Sequence, residues 1–202
     1  MTLICSSAGS GVYKWQVLGW LKESGLLNLL IPTEFGGAGE RWSTALKIAR
    51  EFAKVDGALG HLYGYHFGSQ HAAHLRGTAE QAADIFRRSA AGNWFWGNTA
   101  NSFSKSLFGR RDADGFVLDG FRPFTSGSHI ADYLQVAWED RDTNARSFAA
   151  IRQTGTVSGS RTIGTASASA KPEAGASPTP GSGFIETRYS TTSLTAGVPI
   201  RP

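Results

Sequence analysis

The chain has 202 residues, 41% of them hydrophobic and 11% aromatic, enough apolar matter for one good domain or two small ones. Its formal charge is +4, but the cations are scattered and double up only at Arg87-Arg88 and Arg110-Arg111, so no basic stripe points to nucleic acid. The single cysteine, Cys5, excludes an intramolecular disulfide and a cysteine-built metal site, and no window reaches the roughly 18 apolar residues of a membrane span, so a soluble cytoplasmic protein is expected.

Residues 1–12 are small, polar and aperiodic, without the cationic start and apolar run of a leader, and are expected to be frayed. From Tyr13 to Leu30 the apolar residues Trp15, Val17, Leu18, Trp20, Leu21, Leu26, Leu27, Leu29 and Leu30 predict a helix interrupted near Gly25. Pro32 and Gly36-Gly37-Ala38-Gly39 stop it. This glycine run has neither a Walker lysine nor a preceding Rossmann strand, so it reads as a connector. Ser43 is the expected N-cap of a second helix whose apolar face is Leu46, Ile48, Ala49, Phe52, Ala53 and Val55. A third helix is predicted over Leu59 to Leu75. A fourth opens on the capping box Thr78/Gln81 and turns Ala82, Ile85 and Phe86 inward.

After Ala91 the apolar period shortens to that of strands, predicted over Gly92 to Asn98, Phe116 to Asp119, Gly120 to Thr125 and Tyr133 to Trp138. Asp114-Gly115 and Asp119-Gly120 are turn dipeptides, making this stretch a hairpin or meander. The fold class is therefore α+β: a helical layer over 13–91, then an antiparallel β layer over 92–151. From Arg152 onward Gly, Ser, Thr, Ala and Pro dominate. Such a composition buries too little to offset about 1 to 2 kcal/mol of backbone entropy per residue, so 152–202 reads as a low-complexity, disordered tail.

Three stretches carry chemistry. In Gly57-Ala58-Leu59-Gly60-His61-Leu62-Tyr63-Gly64-Tyr65-His66, His61 and Tyr65 are one helical turn apart and share a face, while His66 is rotated away. An imidazole beside a phenol suits acid/base work; the same spacing also suits two packing residues with satisfied polar tips. His71 and His74 have no carboxylate or cysteine partners in a metal-binding pattern and read as solvated helix histidines, so no metal is expected. In Asn93-Trp94-Phe95-Trp96-Gly97-Asn98, two tryptophans at alternate positions fall on one strand face and an amide follows them. That suits a planar heteroaromatic ligand, or else core aromatics ending in a turn. Thr125-Ser126-Gly127 closes the third stretch with two hydroxyls and a glycine, where a ligand can approach the backbone.

Four ordered motifs, S-G-L-L-N-L-L-I-P-T-E-F-G-G-A-G, D-G-A-L-G-H-L-Y-G-Y-H, N-W-F-W-G-N and D-G-F-V-L-D-G-F-R-P-F-T-S-G, closely resemble the flavin-dependent monooxygenase branch of the acyl-CoA dehydrogenase superfamily, of the dibenzothiophene monooxygenase-like kind. The resemblance runs from about Trp20 to Ile151. It implies an N-terminal helical domain, a middle β-barrel and a C-terminal helical bundle, of which this chain holds the first and part of the second. By position, it implies that His61 and Tyr65 line the pocket at the reactive edge of a flavin, with His61 as the acid/base group. It also implies that Trp96 and Asn98 hold the flavin ring, and that Ser126 with Gly127 bonds the flavin or its oxygen adduct. Arg122 and Pro123 depart from the lysine and aromatic residue usual in the family.

The implied cofactor is a flavin, reduced FMN ahead of FAD, delivered by a separate flavin reductase and used with O2 on a small apolar, possibly organosulfur, substrate by a homotetramer. An FAD-dependent acyl-CoA dehydrogenase and a non-catalytic interaction fragment are the alternatives. Read one base out of frame after Ile151, the tail back-translates with permitted codons into P-A-D-R-D-G-V-R-V-E-D-D-W-D-G-I-G-Q-R-Q-T-G-S over Arg152 to Ala174, in keeping with the family. The expectation is thus a chain that changes frame near Arg152, lacks the helical bundle and binds flavin poorly.

Overall fold

The computed structural model describes residues 7–99, 105–112, 115–120, 125–128 and 130–152. Of residues 1–12, expected to be frayed, 7–12 belong to a helix that begins at Ser7, and Arg152, expected to open the tail, ends a strand. Residues 1–6, the turn at Asp114, most of the strand expected from Gly120 to Thr125 (with Arg122, Pro123 and Phe124), and residues 153–202 lie outside the described residues.

Helices come first in the chain. α1 spans Ser7–Glu23, and short 3-10 turns follow at Leu26–Asn28 and Thr33–Phe35. Then come α2 (Trp42–Val55), α3 (Gly57–Gln70), α4 (Ala72–Arg76) and α5 (Ala79–Gly92). Gly25, at φ 72°, makes the break expected after α1, because the left-handed region admits glycine without a Cβ clash. Gly36–Gly39 is indeed a connector: Gly37 lies so close to Ile31 that a Cβ would fall 2.0 Å from its carbonyl oxygen.

Two helix starts and one stop differ from expectation or confirm it for identifiable reasons. α2 begins at Trp42, two residues early, because Arg41 is already extended and its carbonyl accepts from Thr44 and Ala45; Ser43 provides no cap. The helix expected over 59–75 is two helices, α3 and α4, broken at His71. Far from being solvated, that residue is 6% exposed, with its ring packed 5.2 Å from Trp42 and 5.0 Å from Phe86 and its Nδ1–H donating to the Phe67 carbonyl. Only His74 of the pair is exposed. α5 opens on the capping box as read: Thr78 Oγ1 accepts from the Gln81 amide and Gln81 Oε1 from that of Thr78.

The sheet comprises β1 (Trp96–Asn98), β2 (Leu107–Asp112), β3 (Gly115–Gly120), β4 (Tyr133–Asp140) and β5 (Arg146–Arg152). The α+β plan holds, but the sheet is mixed. β2–β3 and β4–β5 are antiparallel, whereas β4 runs parallel to both β1 and β2. The cause is the hairpin: β3 takes the outer edge of β2, and β4 comes back along the inner edge in the direction of β2. β1 and β2 therefore share one edge of β4 at its two ends, and β5 takes the other.

One apolar core joins helices to sheet, with Leu18, Leu21, Leu27, Tyr63 and Phe67 on the helical side and Phe95, Leu118, Leu134, Val136, Trp138 and Ile151 on the strands. α2 and α3 approach closely at Gly60, where a Cβ would lie 2.6 Å from that of Ala53. This contact fixes the rotation of α3, and hence which of its side chains face β1.

Candidate active site

Asp56 starts α3 by accepting from the amides of Ala58 and Leu59 at 2.8 and 3.3 Å, so the helical period is set from the first turn. One turn in, His61 and Tyr65 stand on the same exposed face with ring centroids 4.3 Å apart. The imidazole Nε2 of His61 lies 3.1 Å from Oγ of Ser126. Partial burial holds the His61 pKa below its ordinary value, so the ring is neutral near pH 7.

The segment bearing Ser126 is pinned to β1 and to the start of β4. The Asn98 amide donates to the Ser126 carbonyl at 3.0 Å. Gly127, at φ 79°, lets the chain reverse, and its carbonyl accepts from Ile130 and Ala131. A Cβ there would sit 3.3 Å from Phe95 and 3.4 Å from Leu62, so the turn rests directly on α3 and the residue before β1. Asp132 ties the far side, accepting from the Phe95 amide and pairing with Lys22 of α1, both at 2.8 Å.

Five of the six expected site residues thus come together: His61, Tyr65, Asn98, Ser126 and Gly127. Trp96 does not join them as a ligand surface. Its side chain is 1% exposed, its indole N–H donates to Ser89 Oγ of α5 at 2.9 Å, and its ring meets that of Tyr133 at 5.3 Å. Trp94 shares that face, as the alternation predicted, and stacks on Tyr133 at 3.9 Å. Trp96 is core between α5 and the sheet because its indole N–H finds its buried acceptor there, while Trp94 is only partly buried.

The residue that sequence reasoning set aside is His66. It is fully buried, its Nε2–H donates to the Leu27 carbonyl at 2.8 Å, and its Nδ1 accepts from the Trp96 amide at 3.1 Å. Burial pushes its pKa down to about 4, only partly opposed by the bond to Leu27. The available signal was the even spread of apolar residues around 57–70, which marks a helix enclosed on more than one side. Among the described residues no group of three or more His, Cys, Asp or Glu could hold a metal, and no helix is long and apolar enough to cross a membrane.

Residues 8–93 match the family "Acyl-CoA dehydrogenase, N-terminal domain". Dibenzothiophene monooxygenase from Mycolicibacterium goodii is 38% identical over 122 residues, which is 57% of this chain and 29% of the relative. A probable FMNH2-dependent monooxygenase, SfnC, from Pseudomonas putida is 32% identical over 114 residues, 56% of this chain and 29% of the relative. Among solved structures, FMN-bound TdsC from Paenibacillus sp. A11-2 superposes with a TM-score of 0.62 at 34% identity, covering 67% of this chain and 36% of that one. An acyl-CoA dehydrogenase from Bacillus anthracis complexed with FAD, at 23% identity and a TM-score of 0.54 over 68% of this chain and 25% of that one, shares the fold. The chain spans less than a third of the length of the curated relatives it matches.

Proposed function

We propose that this chain, whose residues 8–93 are an acyl-CoA dehydrogenase N-terminal domain, forms one wall of the site of a flavin-dependent monooxygenase that oxygenates a small organosulfur compound. The observation that carries the reading is the contact between His61 of α3 and Ser126, beside the exposed phenol of Tyr65. The names of relatives above 30% identity agree with it. The acyl-CoA dehydrogenase, at 23%, supports the fold alone.

These residues fit a flavin by the chemistry of their donor set. An imidazole, a hydroxyl and a phenol, each able to donate or accept, border a turn whose glycine keeps a Cβ off Phe95 and Leu62. Ser126, Gly127 and Asn98 would hold the ring system, and Trp96 supports β1 from below. FMN is the favoured form, in line with FMN-bound TdsC and the FMNH2-dependent relative. Bound in its reduced form, the flavin supplies the two electrons with which O2 yields one oxygen atom to the substrate and one to water.

The chain's own part is proton handling and exclusion of water. His61, neutral at pH 7, can take up or return a proton at Nε2, with the Ser126 hydroxyl as its immediate partner. Tyr65 packs against the imidazole and limits its rotation. The partner implied is a flavin reductase; a homotetramer follows the family resemblance, and a cytoplasmic setting follows the lone Cys5. The test supplies the protein with a flavin reductase, NADH, FMN, O2 and dibenzothiophene. A product heavier by one oxygen, lost in His61→Ala, supports the reading; oxidation of an acyl-CoA in place of oxygen transfer would replace it with the dehydrogenase.

A further inference from the structure

We infer that His66 is a positioning residue: by clamping β1 to α3 it sets the contact between His61 and Ser126. This rests on the reading of His61 and Ser126 as site residues. It goes beyond it by assigning a role to a buried group that touches neither.

The geometry is a closed circuit. From His61 the path runs five residues along α3 to His66, whose Nδ1 accepts from the Trp96 amide at 3.1 Å. Two residues on in β1, the Asn98 amide donates to the Ser126 carbonyl at 3.0 Å, and Ser126 Oγ returns to His61 Nε2 at 3.1 Å. Two histidines of one helix therefore grip one strand, the buried one directly and the exposed one through the loop bridged to that strand. With His66 in place, β1 cannot slide or tilt relative to α3, and Ser126 moves with β1.

The imidazole is itself held from three sides. Nε2–H donates to the Leu27 carbonyl, Phe95 stacks on the ring at 5.5 Å with the planes 6° apart, and Phe67 meets it edge-on at 4.8 Å. A carbonyl can only accept and an amide can only donate, so the ring must be neutral with its proton on Nε2. The Leu27 carbonyl also accepts from Gln70 Nε2 at 3.1 Å. Removing the imidazole thus leaves that carbonyl satisfied and deprives the Trp96 amide. The titratable groups acting on His66 from neighbouring elements are His71, which disfavours its protonation, and Asp132, which favours it.

The test uses the 202-residue protein without flavin, so its outcome is separable from that of the monooxygenase assay. Nitrogen-15 NMR at pH 7 should find His66 neutral with its proton on Nε2; a proton on Nδ1, or a charged ring, overturns the inference. His66→Phe keeps the ring and its stacking but loses the acceptor. It should speed hydrogen exchange of the Trp96 amide about tenfold or more and return the His61 pKa toward its ordinary value. His66→Gln, whose amide offers both an acceptor and a donor, should restore slow exchange and the depressed His61 titration. A folded His66→Phe variant with both readouts as in the parent protein overturns the inference, because a residue that merely fills space would leave the His61 titration unmoved. Should His66→Phe not fold, the proton position in the parent protein decides.

Discussion

His61 Nε2 and Ser126 Oγ lie 3.1 Å apart although 65 positions separate them in the chain, and β1, to which the Ser126 segment is bonded, is itself held to α3 by the buried His66. Both partners are partly open to solvent, so the contact adds little to stability. Ser126→Ala is expected to change unfolding free energy by no more than about 0.5 kcal/mol. His61→Ala should lower turnover in the oxygen-transfer assay by about a hundredfold or more, the usual range for loss of a general acid/base. Denaturant melts and steady-state rates on the same preparations check both statements.

His66 makes the fold acid-labile. Its pKa is about 4 folded and about 6.5 in an unfolded chain, so between those values the unfolded state binds more protons and stability rises with pH. Falling pH therefore removes stability from about pH 6.5 down to about pH 4, by about 3 kcal/mol in all. Urea melts across this window in the parent protein and in His66→Gln should diverge, with the variant flatter. Parallel curves would mean that His66 does not carry the effect.

Two glycines on one helix should respond to alanine in opposite senses. At Gly60 a Cβ would lie 2.6 Å from Ala53 Cβ and 2.9 Å from the Ala49 carbonyl oxygen, so α2 and α3 would have to part. Overpacking of about 1–3 kcal/mol outweighs the gain of up to about 1 kcal/mol in helix propensity. At Gly68 nothing lies within 4 Å of the added atom, so the propensity gain stands alone. Gly60→Ala should melt lower than the parent protein and Gly68→Ala higher.

The capping box of α5 offers a local check. Thr78→Ala strands the Gln81 amide, with an expected loss of about 1 kcal/mol and a melting temperature lower by a few degrees. Thr78→Ser should restore most of it.

What could be read in advance was whatever short-range chemistry decides. The Thr78/Gln81 box, the break at Gly25 and the shared face of His61 and Tyr65 follow from positions within one helical turn. Meeting of His61 with Ser126 came from family resemblance, since nothing in the spacing specifies a contact across 65 residues. β2 escaped notice because Gly109 and the Arg110-Arg111 doublet look unlike a strand. Gly109 is there because Trp138 fills the place of its side chain, with an added Cβ only 2.3 Å from the indole. For Trp96, whose spacing suits either a ligand surface or a core aromatic, and for His66, rotated away from His61 and Tyr65, the outcome depends on which buried acceptor each ring N–H finds, Ser89 Oγ for the one and the Leu27 carbonyl for the other.

The most direct test of the account is anaerobic titration of the 202-residue protein with FMN and FAD, oxidised and reduced, followed by flavin absorbance and fluorescence. Weak but saturable binding is expected, favouring FMN and weakened several-fold further by Ser126→Ala with the fold unchanged, in keeping with the loss of one hydrogen bond of about 1 kcal/mol. No saturable binding, or binding indifferent to Ser126→Ala and His61→Ala alike, would contradict it.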